Sequence, residues 1–241
     1  LGDKNNARMA FEAAATSSFD KQIKEVAMYN YALLIHETAF TGFGESVTIF
    51  EDFLNDFPNS QYADKVNDYL VEVYLTTKNY EAALKSINKI KHPSTKILEA
   101  KQDILFQLGT QAFANVKLDD AVSLFSQAIQ LGSYNMEARN DAYFWRGESY
   151  YRMGEYENAI SDYRTYLNNT RQRSTDMYAL AYYNLGYSYF KLRDYSAALN
   201  RFRQYVDLES NRQAASLADA YNRIGDCLYQ NRQFSLAEEN Y

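Results

Sequence analysis

Hydrophobic residues along this chain recur at intervals of three and four, the spacing that lines one face of an α-helix, and they come in paired runs. Within residues 181–202, Tyr182, Leu185, Gly186 and Tyr189 share one helical face. After the polar turn Leu192-Arg193-Asp194, a second face follows with Tyr195, Ala198, Leu199, Phe202 and Val206. Polar residues fill the remaining positions, so the pattern predicts two amphipathic helices joined by a tight turn.

The pair recurs. The same offsets give Tyr143, Arg146-Gly147, Tyr150, Tyr156, Ala159 and Tyr163 upstream, and Tyr221, Ile224-Gly225, Leu228, Phe234, Ala237 and Tyr241 downstream. Weaker copies run through Leu105, Leu108-Gly109, Ala112, Leu118, Ala121 and Phe125, and through Leu70-Val71, Tyr74, Tyr80, Ala83 and Ile87. Ser46 with Phe50, and Ala7 with Phe11, keep only the second half. The small residues of the second helices fall at 7, 46, 83, 121, 159, 198 and 237, at successive intervals of 39, 37, 38, 38, 39 and 39. Such a period predicts one array of stacked helix pairs in which each unit touches only its neighbours.

One interval inside the unit is constant. Gly109 and Ala121, Gly147 and Ala159, Gly186 and Ala198, and Gly225 and Ala237 all stand twelve positions apart, which predicts that the two smallest side chains face each other where the paired helices cross. A helical glycine costs about 1 kcal/mol relative to alanine, so keeping four at one phase implies that close packing offsets the loss. The tyrosines beside them, drawn from 23 in the chain, are expected to be mostly structural: large rings filling the crossing, hydroxyls reaching a polar rim.

Tyr182-x2-Leu185-Gly186-x2-Tyr189 and Ala198-x3-Phe202 resemble the tetratricopeptide repeat, whose signature has Trp where Tyr182 stands and a shorter period of about 34 residues. The glycine-to-alanine interval being intact, the extra residues belong to connections between units, as in residues 167–181. The resemblance implies an all-α, right-handed α-solenoid, a superhelix of antiparallel helix pairs. The expected segments are a second helix over 1–20, repeats over 21–59, 60–94, 95–133, 134–172 and 173–211, and a truncated repeat over 212–241. Residues 40–46 carry a short insertion, leaving open whether Ala32 or Leu34 takes the glycine position. Leu1-Gly2-Asp3 resembles the turn Met153-Gly154-Glu155, and Tyr241 falls inside a second helix, so a fragment of a longer array is expected. Residues 50–63 and 143–151 resemble repeats of Tol–Pal-associated and outer-membrane-assembly lipoproteins. GYSYFKLRDY and AYNRIGDC resemble long multi-repeat proteins of Bacteroidetes-type bacteria, which implies a periplasmic or cell-envelope setting.

Charge narrows the partners. With 25 basic and 31 acidic residues the net charge is −6, and no basic stripe is present to displace counterions, so nucleic acid is not an expected partner. No apolar run reaches the roughly 20 residues of a membrane span. His36 and His92 stand in different repeats without metal-ligand spacing, and neither a nucleophile elbow nor a phosphate-binding glycine loop occurs. Cys227, the single cysteine, is expected to be a buried small hydrophobe. The expectation is a non-enzyme with no cofactor and no metal.

What remains is surface. The resemblance implies that first helices line a concave face and that their residues off the packing side meet a protein or peptide. The candidates are Phe106, Phe144, Glu148, Tyr151, Tyr183, Tyr187, Asn222 and Asp226, with Asp141, Asp219, Phe113, Phe190 and Tyr229 nearby. Phe113, Phe190 and Tyr229 are read equally well as packing against the next repeat. The scarcity of Lys and Arg there disfavours the clamp with which some family members hold a terminal carboxylate. The mixture of aromatics and acids fits a segment with aromatic, apolar or basic side chains. Two other readings stand beside this scaffold: a carbohydrate-binding module stacking sugars on exposed tyrosines, and an accessory domain of a larger cell-envelope protein.

Overall fold

The computed structural model describes residues 4–16, 20–38, 44–211 and 213–241, and the described residues form helices and turns without a strand. The Leu1-Gly2-Asp3 turn and residues 40–43 of the insertion lie outside the described residues. Two compact units divide the chain, residues 1–108 and 109–241.

The first unit holds α1 (Lys4–Ala15), α2 (Lys21–Thr38), α3 (Glu45–Asp56), α4 (Ala63–Thr76), α5 (Tyr80–Ile87) and most of α6 (Thr95–Ala114). Phe50, Phe53, Leu70, Tyr74, Ala83 and Ile87 fill its interior. A buried carboxylate is tied into that interior. Glu51 on α3 is 2% exposed and accepts from the Ser86 hydroxyl of α5 and from Lys89 Nζ at 3.0 Å, while the Tyr74 hydroxyl of α4 meets Ser86 Oγ at 2.7 Å. Burial pushes the Tyr74 phenol up, keeping it neutral. Ala32 has no exposed surface whereas Leu34 is half-buried, so Ala32 takes the small position of α2. Ala7 is only half-buried, on a helix with no buried residue.

The second unit starts at Gly109 in α6 and continues with α7 (Leu118–Gln130), α8 (Met136–Met153), α9 (Tyr156–Asn169), α10 (Asp176–Lys191), α11 (Tyr195–Leu208), α12 (Ala215–Gln230) and α13 (Phe234–Glu238). Each of these helices packs on the next along the chain from α7 to α13. Ala121, Ala159 and Ala198 have no exposed surface and Ala237 has 2%.

Turn chemistry repeats as regularly as packing. Residues 78, 116, 154, 193 and 232 close successive first helices in the left-handed region, with φ of 53°, 60°, 84°, 61° and 62°. Of these only Gly154 is a glycine. In the second unit each turn is tied by a long return bond: Lys117 N to Ala112 O at 2.9 Å, Glu155 N to Tyr150 O at 2.8 Å, Asp194 N to Tyr189 O at 3.0 Å and Gln233 N to Leu228 O at 2.9 Å. These bonds satisfy carbonyls that a helix end leaves open, and they start the antiparallel second helix at a fixed angle. Asn79, Asn135, Thr175 and Asp194 cap the following helices by accepting from backbone N–H groups three residues on.

The glycines work differently from the expected facing of glycine and alanine. A Cβ at Gly109 would lie 2.6 Å from the Phe125 ring, at Gly186 2.9 Å from Phe202 and at Gly225 2.8 Å from Tyr241, each ring standing one helical turn past the alanine. At Gly147 it would meet Tyr163 at 3.2 Å. The notch in the first helix receives the aromatic ring of the second. The reason is steric: a ring one turn beyond the alanine projects further than a methyl group, and it fills the space the missing side chain leaves.

Candidate protein-binding groove

First helices α8, α10 and α12 carry the expected partner-binding residues of the second unit, and four of them, Glu148, Tyr183, Tyr187 and Asp226, are already bonded to neighbouring side chains. Glu148 on α8 is the hub. Its Oε2 accepts from the Tyr163 hydroxyl at 2.9 Å and from Asn184 Nδ2 of α10 at 3.1 Å, and its Oε1 accepts from Arg152 Nε at 3.1 Å. Arg152 in turn holds its guanidinium 4.2 Å from the centre of the Phe113 ring on α6. Burial and the adjacent Glu148 carboxylate push the Tyr163 phenol well up.

A second hub links α10 to α12. Tyr183 and Tyr187 both donate to Asp219 Oδ2, Tyr183 at 2.8 Å and Tyr187 by a shorter bond. Burial first, and this carboxylate second, raise both phenols, that of Tyr187 to about 12, so each remains a donor at any working pH. Arg223 pairs with Asp226 at 2.5 Å and stands 3.7 Å from Asp219, its guanidinium over the Phe190 ring at 5.7 Å. The Tyr241 hydroxyl donates to Asp226 at 3.0 Å.

Between α8 and α10 an opening of about 200 Å³ remains, lined by Glu148, Tyr151, Tyr183, Asn184 and Tyr187. Its lining combines three tyrosines with a carboxylate and an amide. No proton-transfer pair or nucleophile lies among them, and the described residues hold no cluster of three metal-ligating side chains. Cys227 has no exposed surface, and burial pushes its thiol up to about 12, far from a reactive thiolate.

Two family models, both described as tetratricopeptide repeat, match residues 138–211 and 183–241. Residues 138–241 are tetratricopeptide repeats.

Solved structures that share the helical repeat fold include BtubC from P. vanneervenii, with a TM-score of 0.55, 13% identity, and coverage of 100% of this chain and 89% of that one. MamA gives a TM-score of 0.51 at 18% identity, covering 70% of this chain and 89% of its own. Residues 41 to the end of MamA from Desulfovibrio magneticus RS-1 give 0.50 at 17% identity, covering 75% and 92%. These likenesses concern the fold, and no curated protein matches the chain. Tetratricopeptide repeats in general are non-catalytic protein-interaction scaffolds. No helix among the described residues is long and apolar enough to cross a membrane.

Within these repeats one expected groove residue is displaced. Phe144 is 2% exposed and packs edge-on against Tyr163 and Tyr166 in the interior, so it is a core residue. Its position on the helix wheel suits either face, and the rings of α9 draw it inward. Phe113 is buried under Trp145 and Arg152, and Phe190 is half-buried against Tyr195 and Arg223, whereas Tyr229 stays exposed beside Phe234. Asn222 is exposed and Tyr151 half-buried against Tyr156. Phe106 is half-buried in the first unit. Two roles escaped the sequence reading: Asn184 as a donor to Glu148 on the wall of the opening, and Asp219 as shared acceptor of two tyrosines. Their signal was present in the register, since Asn184 stands one full repeat after Trp145 and one before Arg223.

Proposed function

We propose that this chain is a non-enzymatic scaffold that holds an extended or helical protein segment on the face of α8, α10 and α12, with aromatic, apolar or basic side chains of that segment directed at the tyrosine-lined opening. The observation that carries the reading is the opening itself, bounded by three tyrosine rings and the Glu148 carboxylate on adjacent first helices. Tyrosine is a frequent interface anchor because a large ring contributes contact area at low entropic cost, and the acidic neighbours attract positive charge. The hydroxyls of Tyr183 and Tyr187 are committed to Asp219, which leaves their rings for recognition. A cell-envelope setting belongs to the proposal and rests on the resemblances of residues 50–63 and 143–151 and of the stretches GYSYFKLRDY and AYNRIGDC.

The test is selection from a random peptide library on the folded chain, repeated on the double variant Asn184→Lys with Asn222→Lys. The wild type is expected to retain peptides enriched in aromatic, apolar and basic residues, and the variant, with unchanged helicity, to lose them. Equal retention by both proteins overturns the reading.

A further inference from the structure

The repeat register compares three equivalent junctions within the second unit. Trp145, Asn184 and Arg223 occupy one position of successive first helices, one repeat apart, and each faces the first helix before it. At the junction of α6 and α8, Trp145 lays its ring against Phe113 at 5.2 Å between centroids. At the junction of α10 and α12, Arg223 holds its guanidinium over Phe190 at 5.7 Å and pairs with Asp226 at 2.5 Å. At the junction of α8 and α10, Asn184 reaches only as far as Glu148, and the opening of about 200 Å³ stands where the neighbouring junctions carry an indole or a guanidinium.

Building on the scaffold reading above, we propose that this opening takes the guanidinium of an arginine side chain on the partner segment. The chain itself fills the equivalent space with two groups, an aromatic ring and a guanidinium, and the charge of the site chooses between them. Glu148 is 18% exposed in its side chain and accepts three donors, two on Oε2 and one on Oε1. A carboxylate has about four acceptor positions, so Oε1 retains one. The resident Arg152 does not fill the opening, because its guanidinium stacks back over Phe113 on α6. An indole brings a single neutral N–H to the free acceptor position of Glu148 and no positive charge to meet the carboxylate. A guanidinium donates to it while its plane lies on a tyrosine ring, the combination of hydrogen bonding and stacking that distinguishes arginine from lysine. Its methylene stem would lie along the ring of Tyr151 or Tyr187.

Nα-acetyl-L-arginine amide and its neutral isostere Nα-acetyl-L-citrulline amide are titrated into the isotope-labelled chain while the side-chain amide resonances of Asn184 are followed. The arginine derivative is expected to give saturable shifts, and the citrulline derivative to bind roughly tenfold more weakly, the loss of one charge-assisted hydrogen bond. Asn184→Arg supplies the group from within the chain and Asn184→Trp copies the α6–α8 junction. Each is expected to abolish the response, read on the backbone amides of residues 183–187, with helicity retained. Equal binding of citrulline, or a wild-type response in a folded Asn184→Arg or Asn184→Trp protein, overturns the proposal. If arginine amide fails while selected peptides are still lost by the double lysine variant, this inference falls alone. If the double lysine variant keeps its peptides, the scaffold reading falls whatever arginine amide does.

Discussion

Gly109 and Gly147 occupy the same register but carry different loads. Alanine at either gains about 1 kcal/mol of helix propensity. At Gly109 the new Cβ would stand 2.6 Å from a fully buried phenylalanine ring, and at Gly147 3.2 Å from the Tyr163 ring. Gly109→Ala is expected to lose about 1–3 kcal/mol as the ring is forced aside, and Gly147→Ala to stay within about 1 kcal/mol of the wild type. Denaturant melts of the two variants check this, and equal losses would contradict the ring-in-notch packing. Asp141 on α8 gives a second residue-level prediction. Desolvation, and then Glu137, raise its carboxyl to about 6. A carboxyl raised in the folded state binds more protons there than in the unfolded chain between about pH 4 and 6, so its contribution to stability falls as pH rises through that window. Asp141→Asn is therefore expected to raise the melting temperature more at pH 7.5 than at pH 4.5, measured by calorimetry at both values.

At the scale of elements, the left-handed residue closing each of the first helices α4, α6, α8, α10 and α12 is a feature the chain repeats faithfully and advertises least. Met153-Gly154-Glu155 was legible as a turn because it contains glycine. The equivalent Lys78, Val116, Arg193 and Arg232 hold the same conformation without that mark, and at the last three the return hydrogen bonds and the packing of both helices impose it. Val116 is the extreme case, β-branched, with φ of 60° and 70% exposed. Val116→Gly removes the steric cost of that conformation and little buried surface, and is expected to stabilise the protein by about 1 kcal/mol. A thermal melt unchanged or lowered by this substitution would contradict it. The helix pairs and their period were readable because every unit must bury one stripe on its neighbour, which writes a 3.6-residue pattern into the chain at each pass. Which small group meets which was less readable. The constant interval pointed from glycine to alanine, and the contact runs to the ring one turn further. Phe144 shows the same limit for the groove: its type and phase suited a partner, and only the arrangement of Tyr163 and Tyr166 shows that it is buried.

For the molecule as a whole, the net charge of −6 gives recognition of a basic segment a definite dependence on salt. Long-range attraction weakens over a Debye length that shrinks from about 10 Å at 0.1 M to about 3 Å at 1 M, so association is expected to slow as ionic strength rises while contacts inside the opening persist. The described groove groups of the second unit bond largely to one another, which leaves a rigid surface prepared before any partner arrives and little entropy to lose on binding. The central claim is that recognition enters through the space Asn184 leaves between α8 and α10. Calorimetric titration of one library-selected peptide into the wild type and into Asn184→Trp tests it most directly. The account predicts affinity at least about tenfold weaker in the filled variant, at an unchanged melting temperature. Equal affinity for both proteins would contradict it.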